Sequence, residues 1–474
     1  MNPDLPEDDF SNEKTVHELI RRFEDFISTE NAAFFESDEL EEIIEYYFLE
    51  RNPDKLKKVI DLALSQYPHS TDFKIAKAQL LAFNQNTVEA LKILNDVELY
   101  EPSNADIYTT RGYIYGQMSL GEKAIENYKR ALEFSDSPDE VMVALGVEFG
   151  DQGKYPDAIY YLKKAIDTNA NNDYAMSELF IALDASNTME DGITFFKKII
   201  DTHPFNHFAW FNFGLCKSRL QLHDEALDAY DYAIAIDEKF SSAYFNKANS
   251  LAGLNRFHEA IEVYKETFDL EEPDPAAYYY IGECYEQLEN FDKAMIYYNR
   301  CLKLQPDFSD AWMSMGLILE MKNRLAEARH YLTKAVELDP KEPEYWYALG
   351  DLYTKMGFFE EGADAYSHVI ELNYPEWDIW LDFSHLLVEA DFFEKSIELM
   401  LTGLKRFPDV PELRYRYCVL LMKVGRTSEA LHQFQEALTL NPSKYNGVFE
   451  YEPSLKDNAL FREAIETFMK NKSE

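Results

Sequence analysis

The chain has 474 residues, 87 of them Asp or Glu against 46 Lys or Arg, for a formal net charge of −41. Nucleic acids and anionic membrane surfaces are bound through clustered cations, so this balance speaks against both and fits either the solubility of a long surface or a basic partner. With 46% hydrophobic and 15% aromatic residues but only 17 Gly and 18 Pro, the composition also excludes bulk disorder and a turn-rich β architecture, and points to helices.

Residues 1–14 open the chain with an acidic stretch around Asp4, Glu7, Asp8 and Asp9. It has neither the basic region nor the apolar run of a leader peptide, so a flexible tail on a protein that stays in the cytoplasm is expected. Thr15-Val16-His17-Glu18 reads as a capping box. Val16, Leu19, Ile20, Phe23, Phe26 and Ile27 then recur on one helical face, so residues 15–36 are expected to form an N-terminal capping helix and connector.

From Ser37 onward the sequence repeats every 34 residues, with units starting at 37, 71, 105, 139, 173, 207, 241, 275, 309, 343, 377 and 411. No insertion or deletion interrupts the register to Lys444. Positions 4, 7, 8 and 11 of each unit fall on one face of a helix, and positions 20, 24 and 27 on a second face after a short turn. Position 8 is small in most units (Gly112, Gly146, Gly214, Gly282, Gly316, Gly350), as is position 20 (Ala90, Ala124, Ala158, Ala226, Ala260, Ala294, Ala328, Ala430). Opposed small residues would let two antiparallel helices approach closely. A large residue at position 4, such as Tyr108, Trp210, Trp312 or Trp346, would then fill the gap to the neighbouring unit. Pro68, Pro102, Pro204, Pro306, Pro340, Pro408 and Pro442 stop the second helix. Residues 445–474 keep the second half of a thirteenth unit, with Ala464 and Phe468 on positions 20 and 24, and are expected to cap the array.

This pattern resembles the tetratricopeptide repeat across residues 37–444, and the even units with an acidic, aromatic-rich composition look like those of bacterial repeat proteins. The resemblance implies an all-α, right-handed superhelical solenoid of helix-turn-helix units, with the first helix of each unit lining a concave groove where partner polypeptides lie.

Chemistry leaves few traces. There is no phosphate loop, since Gly150-x-x-Gly153-Lys154 is an inter-helix turn, and no HExxH, GxSxG or CxxC motif. His203 and His207 are four apart, but Pro204 between them precludes a helical metal face. The cysteines, Cys216, Cys284, Cys301 and Cys418, sit at helical positions and are expected to be buried free thiols. No enzyme activity, cofactor or metal is expected, and no apolar run is long enough to span a membrane.

The expected function is therefore a scaffold for other proteins, and the candidate contact residues lie at positions 5 and 9 of the first helices. Position 5 becomes a ladder of large side chains from the sixth unit onward: Phe211, Phe245, Tyr279, Met313, Tyr347, Leu381 and Tyr415. Position 9 adds Ile181, Leu215, Asn249, Glu283, Leu317 and Asp351. Neither position carries Lys or Arg, so the clamp by which some tetratricopeptide domains grip a terminal carboxylate is absent. An apolar segment with basic flanks is the expected ligand. Two alternatives remain open: a structural subunit that self-associates through the solenoid ends, and a regulatory array for an enzyme on another chain.

Overall fold

The computed structural model describes the backbone of residues 7–29 and 34–473. Among these residues every regular element is helical: 27 α-helices and two short 3₁₀ turns. The leading helix, Glu7–Thr29, starts ahead of residue 15, so residues 7–14 of the expected tail are helical and Thr15 is an interior position, not an N-cap. Residues 1–6 lie outside the described residues. Leu19, Ile20 and Phe23 of this helix are buried, with Phe23 set on the rings of Phe35 and Tyr47 at 6.0 and 5.9 Å.

Twelve helix pairs follow, from Ser37–Leu49 with Pro53–Gln66 to Pro411–Lys423 with Thr427–Leu440, each first helix starting within one residue of a unit start. The chain divides into two compact bodies, residues up to Leu254 and residues from Asn255. The division falls in the turn of the seventh unit, between Ser241–Gly253 and Phe257–Leu270, where the unbroken register gave no sign of it. Within each body the first helices of successive units touch one another, as Pro138–Asp151 touches Asp173–Ala185 and Ser309–Met321 touches Pro343–Met356. They form one wall of each body, the inner wall because the resemblance to tetratricopeptide repeats implies a concave groove on that side.

Positions 8 and 20 face each other as expected: the Ser384 and Ser396 hydroxyls meet at 2.8 Å, and a methyl group on Gly362 would lie 3.5 Å from the Gly350 carbonyl. Position 8 also receives the side chain at position 24 of its own unit. A methyl group on Gly282 would lie 2.5 Å from the Tyr298 ring, and one on Gly146 2.4 Å from Leu162. The alanines at position 20 are sealed in the core, Ala124, Ala158, Ala226 and Ala294 among them. The large residue at position 4 also reaches back to the preceding turn: Trp210, Trp312 and Trp346 donate their indole N–H to the carbonyls of Pro204, Pro306 and Pro340 at 2.9, 2.8 and 3.0 Å. Tyr108 does the same through its hydroxyl to Pro102 at 2.6 Å. The proline thus ends one helix, having no N–H, and its free carbonyl anchors the next.

The turn inside each pair is uniform too. Its residue at position 15 is left-handed in all twelve units, from Arg51 at φ 50° to Gly425 at φ 81°. At the C-terminus, a short helix Gly447–Tyr451 folds against Pro411–Lys423, and a 3₁₀ turn Pro453–Asp457 packs on that short helix. A last helix, Ala459–Ser473, follows, with Phe461 buried and Ala464 and Phe468 packed at the core's edge.

Candidate partner-binding surface

A first helix presents to the inner wall the side chains it does not spend on packing. In the first body, position 9 supplies the exposed residues: Tyr113 is 46% and Ile181 57% exposed, with Val147 and Leu215 half-buried. Asn249 is half-buried. Position 5 is more enclosed. The Phe211 ring lies 4.9 Å from Phe240 and 6.1 Å from Tyr230, so it is largely a packing residue, and Phe245 is likewise half-buried.

The second body repeats this arrangement. Tyr279 rests on Phe308 at 5.0 Å and Tyr298 at 5.6 Å, and Tyr347 on Tyr366 at 6.0 Å and Tyr374 at 5.8 Å. Met313, Leu317 and Leu381 are half-buried. Tyr415 departs from the expected groove altogether. It is 1% exposed, packs on Phe434 and donates to the Asn441 carbonyl at 3.3 Å, in a helix that the chain end covers. Across that helix Lys423 pairs with Glu452 at 2.8 Å and the Arg416 guanidinium lies 5.1 Å over the Tyr451 ring. The expected open ladder at position 5 is therefore a set of half-buried packing residues that shows only its edges.

Between those edges stand carboxylates held by tyrosine hydroxyls. Tyr279 donates to Glu283 at 3.0 Å, Tyr298 to Glu286 at 2.7 Å, Tyr345 to Asp310 at 2.5 Å, Tyr366 to Asp351 at 2.6 Å, and Tyr347 to Asp382. None of these five carboxylates has a Lys or Arg partner among the described residues. A hydroxyl fixes a carboxylate without neutralising it, so the wall keeps its charge. Asp351 shows the consequence. Burial, with Asp382, Glu320 and Asp378 nearby, pushes its carboxyl up to about 6 although water still reaches its surface. Burial also raises Glu283 against the lowering bond from Tyr279. Positions 5 and 9 showed Tyr279, Tyr347, Glu283 and Asp351 in the sequence, but Asp310, Asp382, Tyr298, Tyr345 and Tyr366 were missed. The available signal was Tyr at position 24 facing an acid at position 9 or 12 of the same unit.

The remaining candidates for chemistry stand apart. His203 bonds Thr202 at 2.9 Å while His207 meets the Phe240 ring edge-on at 5.0 Å. All four cysteines are free and buried, and burial pushes each thiol up to about 12. Among the described residues no helix is long and apolar enough to cross a membrane.

Uniform helix pairs packed side by side, with first helices on one wall, define an all-α repeat solenoid within each body. Models of the tetratricopeptide repeat match residues 105–137, 245–307, 309–352 and 343–375. The chain is a tetratricopeptide-repeat protein. No curated protein sequence matches it. Among solved structures it is similar to MamA, with 24% identity over 34% of this chain and 93% of that one and a TM-score of 0.32. It is also similar to YrrB, a TPR protein with an unusual peptide-binding site, with 21% identity over 41% and 97% and a TM-score of 0.32. The APC/C hetero-tetramer Cut9–Hcn1 aligns at 14% identity over 97% and 94%, with a TM-score of 0.42.

Proposed function

We propose that this protein is a non-enzymatic interaction scaffold whose inner wall in the second body holds a basic-flanked polypeptide segment. The observation that carries it is the row of tyrosine-held carboxylates without a Lys or Arg partner among the described residues, interleaved with the edges of Tyr279, Leu317, Tyr347 and Leu381. Carboxylates kept charged and fixed on a partly apolar wall pay little to meet a cation, because their orientation is already set. Lys and Arg side chains can satisfy them while their methylene stems cover the ring edges.

The test compares capture of partners from native lysate by the wild-type chain and two neutralised variants. One carries Glu283→Gln, Asp351→Asn and Asp382→Asn on the inner wall. The other carries Glu266→Gln, Asp364→Asn and Glu398→Gln on exposed faces of second helices. Selective loss of basic partners from the first variant is expected. Equal loss, or none, from both would overturn the proposal.

A further inference from the structure

The first body contains a cavity of about 810 Å³ on its inner wall, bounded by the first helices of the third, fourth and fifth units, Ala105–Gln117, Pro138–Asp151 and Asp173–Ala185. We propose that it is a binding pocket for one lysine or arginine side chain of a partner polypeptide, a proposal that rests on the scaffold role above but uses a different body and different residues.

The argument starts from Glu148. Its carboxylate leans from the fourth unit into the elbow of the third, where a methyl group on Gly116 would lie 2.8 Å from one of its oxygens and one on Gly121 2.6 Å from the other. Only residues without side chains leave room for it there. Gln152 fixes it further by donating Nε2–H to Oε1 at 3.0 Å. Asp151 adds negative charge at the same rim, and neither acid has a Lys or Arg partner among the described residues. Burial holds the Glu148 carboxyl above the ordinary carboxylate range, as expected of a half-desolvated acid lacking its counter-ion.

The walls select among cations. Tyr113 and Tyr174, 46% and 58% exposed, stand on either side, with Val143 and Val147 between them. Gln117 donates to the Tyr113 hydroxyl at 2.8 Å and steadies that ring. A hard metal ion prefers several oxygen ligands, and no group of three metal-ligating side chains exists among the described residues. An alkyl stem ending in a charged head fits better: tyrosine faces take the stem and the diffuse charge, and the fixed carboxylate takes the N–H donors. An anion meets three acids, Glu140, Glu148 and Asp151, and no cation, and is repelled.

The experiment uses the full-length chain and two fluorescein-labelled peptides, an alternating Leu/Gln heptapeptide with one central arginine and the same peptide with citrulline there. Citrulline keeps the shape but carries no charge and has a carbonyl acceptor in place of one NH2 donor. Fluorescence anisotropy should show the arginine peptide binding about tenfold more tightly, the scale of one charge-assisted contact. Glu148→Gln should erase that preference with unchanged circular dichroism, and Tyr113→Ala should weaken both peptides. Equal affinities, no binding of either peptide, or a preference that survives Glu148→Gln would each overturn the pocket. Asp351→Asn, in the second body, should leave the preference intact. Loss there would assign the cation to the other wall and overturn it as well. Lysate capture on the second body tests the scaffold role independently of any of these results.

Discussion

Trp312 donates its indole N–H to the carbonyl of Pro306, six residues upstream, at 2.8 Å, and so ties the start of one helix pair to the turn that ends the previous one. Trp210 and Trp346 make the same bond to Pro204 and Pro340, so the link is part of the repeat. Trp312→Phe keeps the aromatic bulk and removes the donor. A net cost of about 1 kcal/mol is expected, the usual worth of one hydrogen bond. Repeat arrays open unit by unit, so the effect should be local. Hydrogen exchange should accelerate across residues 305–321 and not in the first body. Unchanged protection there would mean that the ring acts by packing alone.

Gly282 marks a close approach within a pair. An added Cβ would sit 2.5 Å from the Tyr298 ring, whose hydroxyl is held by Glu286 at 2.7 Å and cannot easily swing away. Gly282→Ala should cost about 1–3 kcal/mol by overpacking. Combined with Tyr298→Ala it should cost clearly less than the two changes added, because the second removes the atoms with which the first collides. Strict additivity in urea unfolding would show that the two sites do not meet.

Much of the fold was legible because the signal is periodic: one 34-residue pattern recurs at every unit start, and helix faces follow directly from spacing. What spacing did not reveal was which small residue meets which large one. Position 8 pairs with position 24 because antiparallel helices offset their side chains, and that offset is set by the intervening turn. The partner surface was read less well for a related reason. Positions 5 and 9 lie on the same flank of the helix, and only packing tells that Phe211 is half-covered by Phe240 while Ile181 stays 57% exposed. Tyr415 was out of reach altogether, since the chain end that covers its helix comes from outside the repeat register.

The left-handed residue at position 15 gives a prediction from the backbone alone. Gly153, Gly357 and Gly425 occupy it freely, whereas Gln221 (φ 61°) and Glu289 (φ 56°) adopt it against the preference of residues with a Cβ. Gln221→Gly should stabilise the first body by about 0.5–1 kcal/mol, the relief of strain exceeding the added unfolded-chain entropy. Gly425→Ala should cost about 1 kcal/mol in the second, although nothing lies within 4 Å of the new methyl group. Urea midpoints moving in opposite directions would bear this out. A shift of the same sign in both would place the effect elsewhere.

Asp351 predicts a pH dependence of definite sign. Its folded value is about 6 against an ordinary 3.8, so between about pH 4 and pH 6 the folded chain binds a proton that the unfolded chain has released. The free energy of unfolding therefore falls as pH rises through that window and stays at the lower level above it. Asp351→Asn keeps the acceptor for the Tyr366 hydroxyl and removes the charge that Asp382, Glu320 and Asp378 oppose. The variant should melt higher than the wild type at pH 7.5, with the gap closing towards pH 4. Water still reaches this carboxyl and screens its neighbours, so direction and window are the test. The same protonation lowers the negative charge of the inner wall, and a basic peptide bound there should dissociate more readily at pH 5 than at pH 7.5, with a smaller change in the variant. A thermal gap constant across pH would mean that position 351 acts through shape, and the electrostatic account of the second body's wall would then fail at its most strongly shifted residue.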